Sequence, residues 1–147
     1  MKLSRSQKVL LEKATNHYEE YLPLAEDYLV RRGINQETAQ KIRLGVVVDP
    51  LAGQESFVNR LAIPYLTPTG VVDIRFRSMG LEEPKYMGMP GTSTRLYNVN
   101  ALHTAGNFIA VCEGEIDAIT LSYSCRIPAV GVPGANAWKR HYGRLLA

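Results

Sequence analysis

Three carboxylates crowd the segment FIAVCEGEIDAITL (108–121): Glu113, Glu115 and Asp117, placed directly after an apolar run. Carboxylates gathered at the end of a strand are one way to hold Mg²⁺ beside a phosphate, because a hard cation takes oxygen ligands and leaves coordination positions for the substrate. Glu113 falls at the last position of the apolar strand, where open parallel sheets bind their ligands. Gly114 lets the backbone turn sharply into a helix and leaves room for a bulky ligand. Glu115 and Asp117 fall in the first helical turn, where the helix dipole favours negative charge whether or not a ligand is present. For these two, a ligating role and a solvated, dipole-matched role both stay open.

The elements around this segment follow from periodicity and punctuation. Val9, Leu10, Ala14, Tyr18, Tyr21 and Leu22 recur at helical spacing. Pro23 suits the first position of a second helix and Gly33 its end, and Asn35 is a cap for a third helix that stops at Gly45. A short strand is expected over 46–48. Two longer ones flank Pro68-Thr69-Gly70, and in the second Val72, Ile74 and Phe76 alternate with Asp73, Arg75 and Arg77, giving one apolar and one charged face. Residues 78–95 read as an irregular loop. The last third reads as strand 107–112, helix 115–125, strand 128–132 and helix 136–146, which implies a parallel pair. The fold class is therefore α+β passing into α/β, with a boundary near residue 100.

VCEGEIDAITL followed by IPAVGVPGANAW resembles the first half of the TOPRIM domain of bacterial-type DNA primases, whose first motif is a strand ending in Glu-Gly, two residues, then Asp. YLVRRGINQETAQKIRLGVV, NRLAIPYLTPTGVVDIRFR and EPKYMGMPGTSTRLYNVNAL resemble, in order, the helical opening, strand pair and basic loop of the primase catalytic core. The resemblance implies a primase-core N-terminal subdomain over 1–100 and a partial, Rossmann-like TOPRIM β-α-β-α unit over 101–147. It implies metal-dependent nucleotidyl transfer that makes short RNA primers on a single-stranded DNA template. Glu113 then stands as metal-site acid or general base, and Asp117 as its supporting metal ligand. Arg75, Arg77, Lys85 and Gly114 stand at positions that hold nucleotide or template. Read by themselves, Arg75 and Arg77 fit a solvated strand face equally, and Tyr86, Tyr97 and Trp138 fit core packing as well as base stacking.

With 147 residues, 46% hydrophobic, the chain can bury a core, and its formal net charge of +3 permits a polyanionic partner without requiring one. Cys112 and Cys125 form no C-x-x-C pair, so no zinc site is expected, and both read as reduced thiols. No apolar run approaches the ~20 residues of a membrane span. The expected location is the cytoplasm, the host's for a phage-encoded chain. Expected partners are single-stranded DNA, ribonucleoside triphosphates and a replicative helicase.

The family's Asp-x-Asp motif has no counterpart, since no aspartate follows Asp117. Mg²⁺ or Mn²⁺ is the expected cofactor, held unstably by this acid set alone. A downstream segment or second polypeptide carrying an apolar strand and Asp-x-Asp is the expected complement. The competing reading is a non-catalytic single-strand-binding or replication-accessory protein that keeps the half-domain as a surface. A topoisomerase or nuclease of the TOPRIM group fits the strand pair and EPKY loop less well. Residues 1–147 alone are expected not to make primers. Adding the complement should restore Mg²⁺-dependent synthesis, and Glu113→Gln should then abolish it, as read by primer-product assay.

Overall fold

In the computed structural model, which describes residues 2–134 and 138–147, the chain opens with helix α1 (Arg5–Glu19). The Ser4 hydroxyl accepts from the Gln7 amide at 3.2 Å and the Gln7 side chain accepts from the Ser4 amide at 2.8 Å. This reciprocal box satisfies donors that a helix start leaves open. The buried stripe is Leu11, Ala14, Thr15 and Tyr18, not the one expected through Val9 and Leu10, which are exposed. The stripe keeps i, i+3, i+4, i+7 spacing. It is masked in the sequence by Thr15, whose hydroxyl is satisfied within the helix by donating to the Leu11 carbonyl at 2.8 Å.

Pro23 opens a 3₁₀ turn (Leu22–Ala25), and α2 (Glu26–Arg31) follows it. Asn35 caps α3 (Gln36–Lys41), accepting from the Thr38 amide at 2.8 Å. Gly45 does not end α3 as expected. Arg43 takes the left-handed turn at φ 62°, a conformation unfavourable to a residue with a Cβ. Its guanidinium offsets that by donating to Glu19, Glu12 and Asn16 of α1 at 2.8, 3.0 and 2.7 Å. Gly45 instead begins β1 (Gly45–Val46), where a Cβ would strike the backbone of Tyr18.

The antiparallel sheet runs β1, β2 (Leu61–Thr67), β3 (Gly70–Arg77) and β4 (Tyr86–Gly88) in that order. The expected strand 46–48 shrinks to two paired residues, and β4 lies in the segment expected to be irregular. Three residues give no alternation to read. Pro64 lies past the end of β1, which pairs only with Leu61 and Ala62, so its missing donor falls at an open edge.

The faces of β3 decide the architecture. Ile74 and Phe76 join Leu11, Ala14 and Tyr18 under α1, with Phe76 stacked on Phe57 at 4.0 Å between ring centres. The opposite face, for which a ligand-binding and a solvated role were both open, is covered by protein. Asp73 and Arg77 are buried, and the Arg75 side chain is 16% exposed. The cover comes from the second sheet, in which β5 (Ala110–Glu113) and β6 (Ala129–Val132) pair in parallel as expected. Between them α5 (Glu115–Ile119) continues as a π-helical turn over 120–124. One core cluster joins Leu61, Ile63 and Tyr65 of β2 to Ile116, Ala118, Ile119 and Ala129. The chain also crosses back at Tyr97, which exchanges backbone hydrogen bonds with Gly131 at 2.8 and 3.1 Å.

Two expectations for the last third are corrected. β5 is not a buried strand: Val111 and Glu113 are exposed, whereas every residue of β6 is buried. The expected helix 136–146 is reduced to α6 (Tyr142–Leu146), with Lys139 and Arg140 ahead of it; residues 136 and 137 lie outside the described residues. The short helix α4 (Ala101–Thr104) precedes β5.

Gly45→Ala should lower stability by about 1–3 kcal/mol, because the added methyl meets backbone that cannot rotate away. Gly143→Ala, in α6 with nothing nearby, should raise it by about 0.5–1 kcal/mol. Denaturant midpoints check both. Burial also raises the Asp73 carboxyl from its ordinary 3.8 to about 6. The folded state therefore holds this proton more tightly than the unfolded state, and stability falls as pH rises through that window. Asp73→Asn keeps the shape and the oxygen that accepts from the Ile74 amide. It should stabilise the fold at pH 7–8 by about 1–3 kcal/mol. The gain should vanish below about pH 4 in unfolding curves taken across pH.

Candidate nucleotide and metal site

β5 ends at Glu113, and its direction delivers that side chain, exposed, to a cleft of about 290 Å³ between the two sheets. Gly114, at φ 118°, turns the chain into α5. A Cβ there would lie 3.4 Å from the Tyr86 hydroxyl, and one on Gly131 would meet the Gly114 carbonyl oxygen at 2.6 Å. The turn is thus packed between the cleft's opposite wall and β6, and two glycines are what allow that closeness. Asp117, one turn into α5, is exposed on the same cleft.

The opposite wall carries Arg32, Arg77, Lys85 and Tyr86. Register places Arg77 of β3 opposite Tyr86 of β4. The Arg77 guanidinium sits 5.3 Å from the ring centres of both Tyr28 and Tyr86. It donates to the Tyr86 hydroxyl at 3.1 Å and to the Ser78 carbonyl at 2.9 Å. It is 4% exposed, and among the described residues no carboxylate lies within ion-pair distance of it. A buried cation held by aromatic faces and neutral acceptors keeps its field available to an anion in the cleft. Burial, the largest effect, raises the Tyr86 phenol, while Arg77 beside it pulls the other way. Lys85 is exposed at the rim, with its carbonyl accepting from the Ser78 amide at 2.9 Å. A wider groove of about 560 Å³ continues from this wall past Arg31 and Arg32.

The sequence-derived residues therefore divide. Glu113, Gly114, Asp117, Arg77 and Lys85 meet in one cleft. Arg75 is not among the residues that line it; its guanidinium turns to Glu115. Glu115, one of the three opening acids, is 1% exposed and faces the antiparallel sheet, where the Tyr65 hydroxyl donates to its Oε1 at 2.5 Å. Burial, and then the Glu115 charge, push the Tyr65 hydroxyl far up, so it stays a donor. Of the three aromatics, Tyr97 is core and Trp138 packs edge-on to Tyr142, half exposed; Tyr86 alone lines the cleft. Sequence reasoning missed Arg32. The available signal was a pair of arginines directly before a left-handed glycine that ends a helix.

Among the described residues no three His, Cys, Asp or Glu side chains gather closely enough to cage an ion. The donor set that is present, two carboxylates on a cleft faced by cations, suits one Mg²⁺ bound through one or two carboxylates and completed by water and substrate phosphate. It does not suit an all-protein metal cage. No described helix is long and apolar enough to cross a membrane.

No family model matches the chain. The "Gene 57 protein" of Mycobacterium phage D29 is 49% identical over 91 residues, which cover 58% of this chain and 59% of that protein. Among solved structures, the E. coli primase catalytic core superposes with a TM-score of 0.76 at 20% identity, covering 94% of this chain and 58% of that one. The RNA polymerase domain of Mycobacterium tuberculosis primase DnaG gives 0.75 at 21% identity, over 97% of this chain and 61% of that one. A DnaG primase catalytic domain bound to single-stranded DNA gives 0.75 at 21% identity, over 94% and 56%. The chain thus spans less than two thirds of the length of each of these proteins. Over nearly its whole length it has the fold of the DnaG primase catalytic core.

Proposed function

We propose that this chain forms the template- and nucleotide-holding part of a DNA primase, with residues 1–100 and 101–147 as the two walls of its cleft. The observation that carries the reading is the pairing of an acid-uncompensated buried cation, Arg77, with two exposed carboxylates, Glu113 and Asp117, across one cleft in a DnaG-core fold. Primer synthesis joins ribonucleotides by phosphoryl transfer, which depends on positioning and on neutralising charge as it develops. Arg77, Lys85 and Arg32 hold phosphate oxygens of template or triphosphate. Arg77 does so from a buried position between two tyrosine faces; Arg32, 5.4 Å from the Tyr28 ring centre, and Lys85 do so as exposed rim charges. The Glu113 carboxylate takes the proton of the attacking hydroxyl or ligates Mg²⁺, and Asp117 supports it from one turn along α5. When bound, the cation supplies a Lewis acid for the phosphoryl oxygens. The fuller acid set of a two-metal reaction is assigned to a further segment or a second polypeptide carrying Asp-x-Asp.

Because the cations face phosphate, each should contribute about one unit to the slope of log affinity against log salt. Lys85→Ala and Arg32→Ala are exposed changes, so the fold should persist. Each should weaken binding of an oligothymidylate strand and flatten that slope by about one unit in fluorescence anisotropy titrations. Unchanged slopes in both variants would overturn the phosphate-binding wall.

A further inference from the structure

Two buried atoms have no use in the cleft described so far. Glu115 Oε2 and Arg75 Nε are both shielded from solvent and make no hydrogen bond, although Arg75 Nε lies 3.3 Å from Glu115 Oε1. A carboxylate and a guanidinium taken out of water are costly, and leaving either one alone is costlier still. Yet the pair sits where only geometry can benefit. Glu115 immediately follows Gly114, so its side chain is one residue from the turn that aims Glu113. Arg75 and Tyr65 belong to β3 and β2, the opposite layer. Gly88, the register partner of Arg75 on β4, has no Cβ, and one there would lie 3.1 Å from an Arg75 nitrogen. That glycine leaves the guanidinium room to turn inward.

We infer that Glu115 is a positioning residue: its carboxylate, clamped by Arg75 and Tyr65, ties the Glu113-Gly114 turn to the antiparallel sheet and sets where the cleft acids stand relative to Arg77. Arg75 is then the inward counter-charge of this anchor rather than a ligand for phosphate. The inference rests on the reading of the cleft given above, but it makes a separate division of labour among residues that look alike in sequence. Acids 113 and 117 face the cleft while acid 115 faces the protein. Cation 77 faces the cleft while cation 75 faces acid 115. In a bare strand–turn–helix the turn would be free to pivot about Gly114, since glycine offers little resistance to rotation. The Tyr65 and Arg75 contacts add a second attachment immediately past that pivot.

The test compares Glu115→Gln, Arg75→Met, Arg75→Lys and the Glu115→Gln/Arg75→Met double variant in the 147-residue chain. Hydrogen exchange is read at the amides of residues 113–117 and, as a control, in α1. Each of the two charge-removing single variants should speed exchange at 113–117 by about tenfold more than in α1. Arg75→Lys, which keeps the charge, and the double variant, which leaves neither charge of this pair without its partner, should each recover much of the protection. Oligothymidylate binding supplies the second readout: Arg75→Met should leave the salt slope unchanged, in contrast to Lys85→Ala. Exchange that rises equally in α1 and at 113–117, or additive effects in the double variant, would overturn the anchor. So would a salt slope that falls in Arg75→Met as it does in Lys85→Ala. Failure of the wild-type chain to bind the strand would instead remove the proposed function, and the exchange pattern would still decide the anchor.

Discussion

The contact of Glu115 with Tyr65 and Arg75 joins a parallel layer to an antiparallel one through a carboxylate that is 1% exposed. Burying an ion costs least where partners replace its water, and here a phenol donates to one carboxylate oxygen at 2.5 Å and a guanidinium charge lies 3.3 Å from it. The rest of the site follows from that juxtaposition. With α5 held against β2 and β3, the carboxyl end of β5 opens opposite Arg77 and Tyr86, and Glu113 and Asp117 come to face cations across a cleft rather than bulk water.

The same packing explains the behaviour of the charged strand. Asp73, Arg75 and Arg77 alternate along β3 on the face that meets the second layer. Asp73 is desolvated and held above its usual range, while the Ile74 amide and the Arg75 and Arg95 charges offset that only in part. Arg77 is accommodated by two tyrosine rings, the Tyr86 hydroxyl and a backbone carbonyl, which leave its charge uncancelled and donors free for the cleft. Three charges on one strand thus do three things: one keeps its proton to a higher pH, one forms an ion pair with Glu115, and one is presented to the cleft.

Much of the fold was legible. The capping Asn35, the strand pair around 68–70, the parallel strands and the strand-end position of Glu113 all come from local rules of spacing and turn chemistry. What was misread has a common origin. The buried stripe of α1 includes Thr15, the end of α3 uses Arg43 instead of a glycine, and β4 is three residues long. In each case a tertiary partner supplies what the local pattern lacks: a helix carbonyl for Thr15, three acceptors on α1 for Arg43, and an adjacent strand for β4.

The amino-acid sequence by itself determined that a glutamate would close an apolar strand, that a glycine would turn the chain there, and that two more acids would enter the next helix. Those are consequences of periods of two and of 3.6 residues and of one residue without a Cβ. It could not determine which acids face a ligand. Glu113, Glu115 and Asp117 are the same chemistry two residues apart, and Arg75 and Arg77 repeat that ambiguity on β3. Only the folded structure separates them, because the choice depends on which layer lies over β3, and the contact that makes it joins Tyr65 to Glu115 across fifty residues of chain.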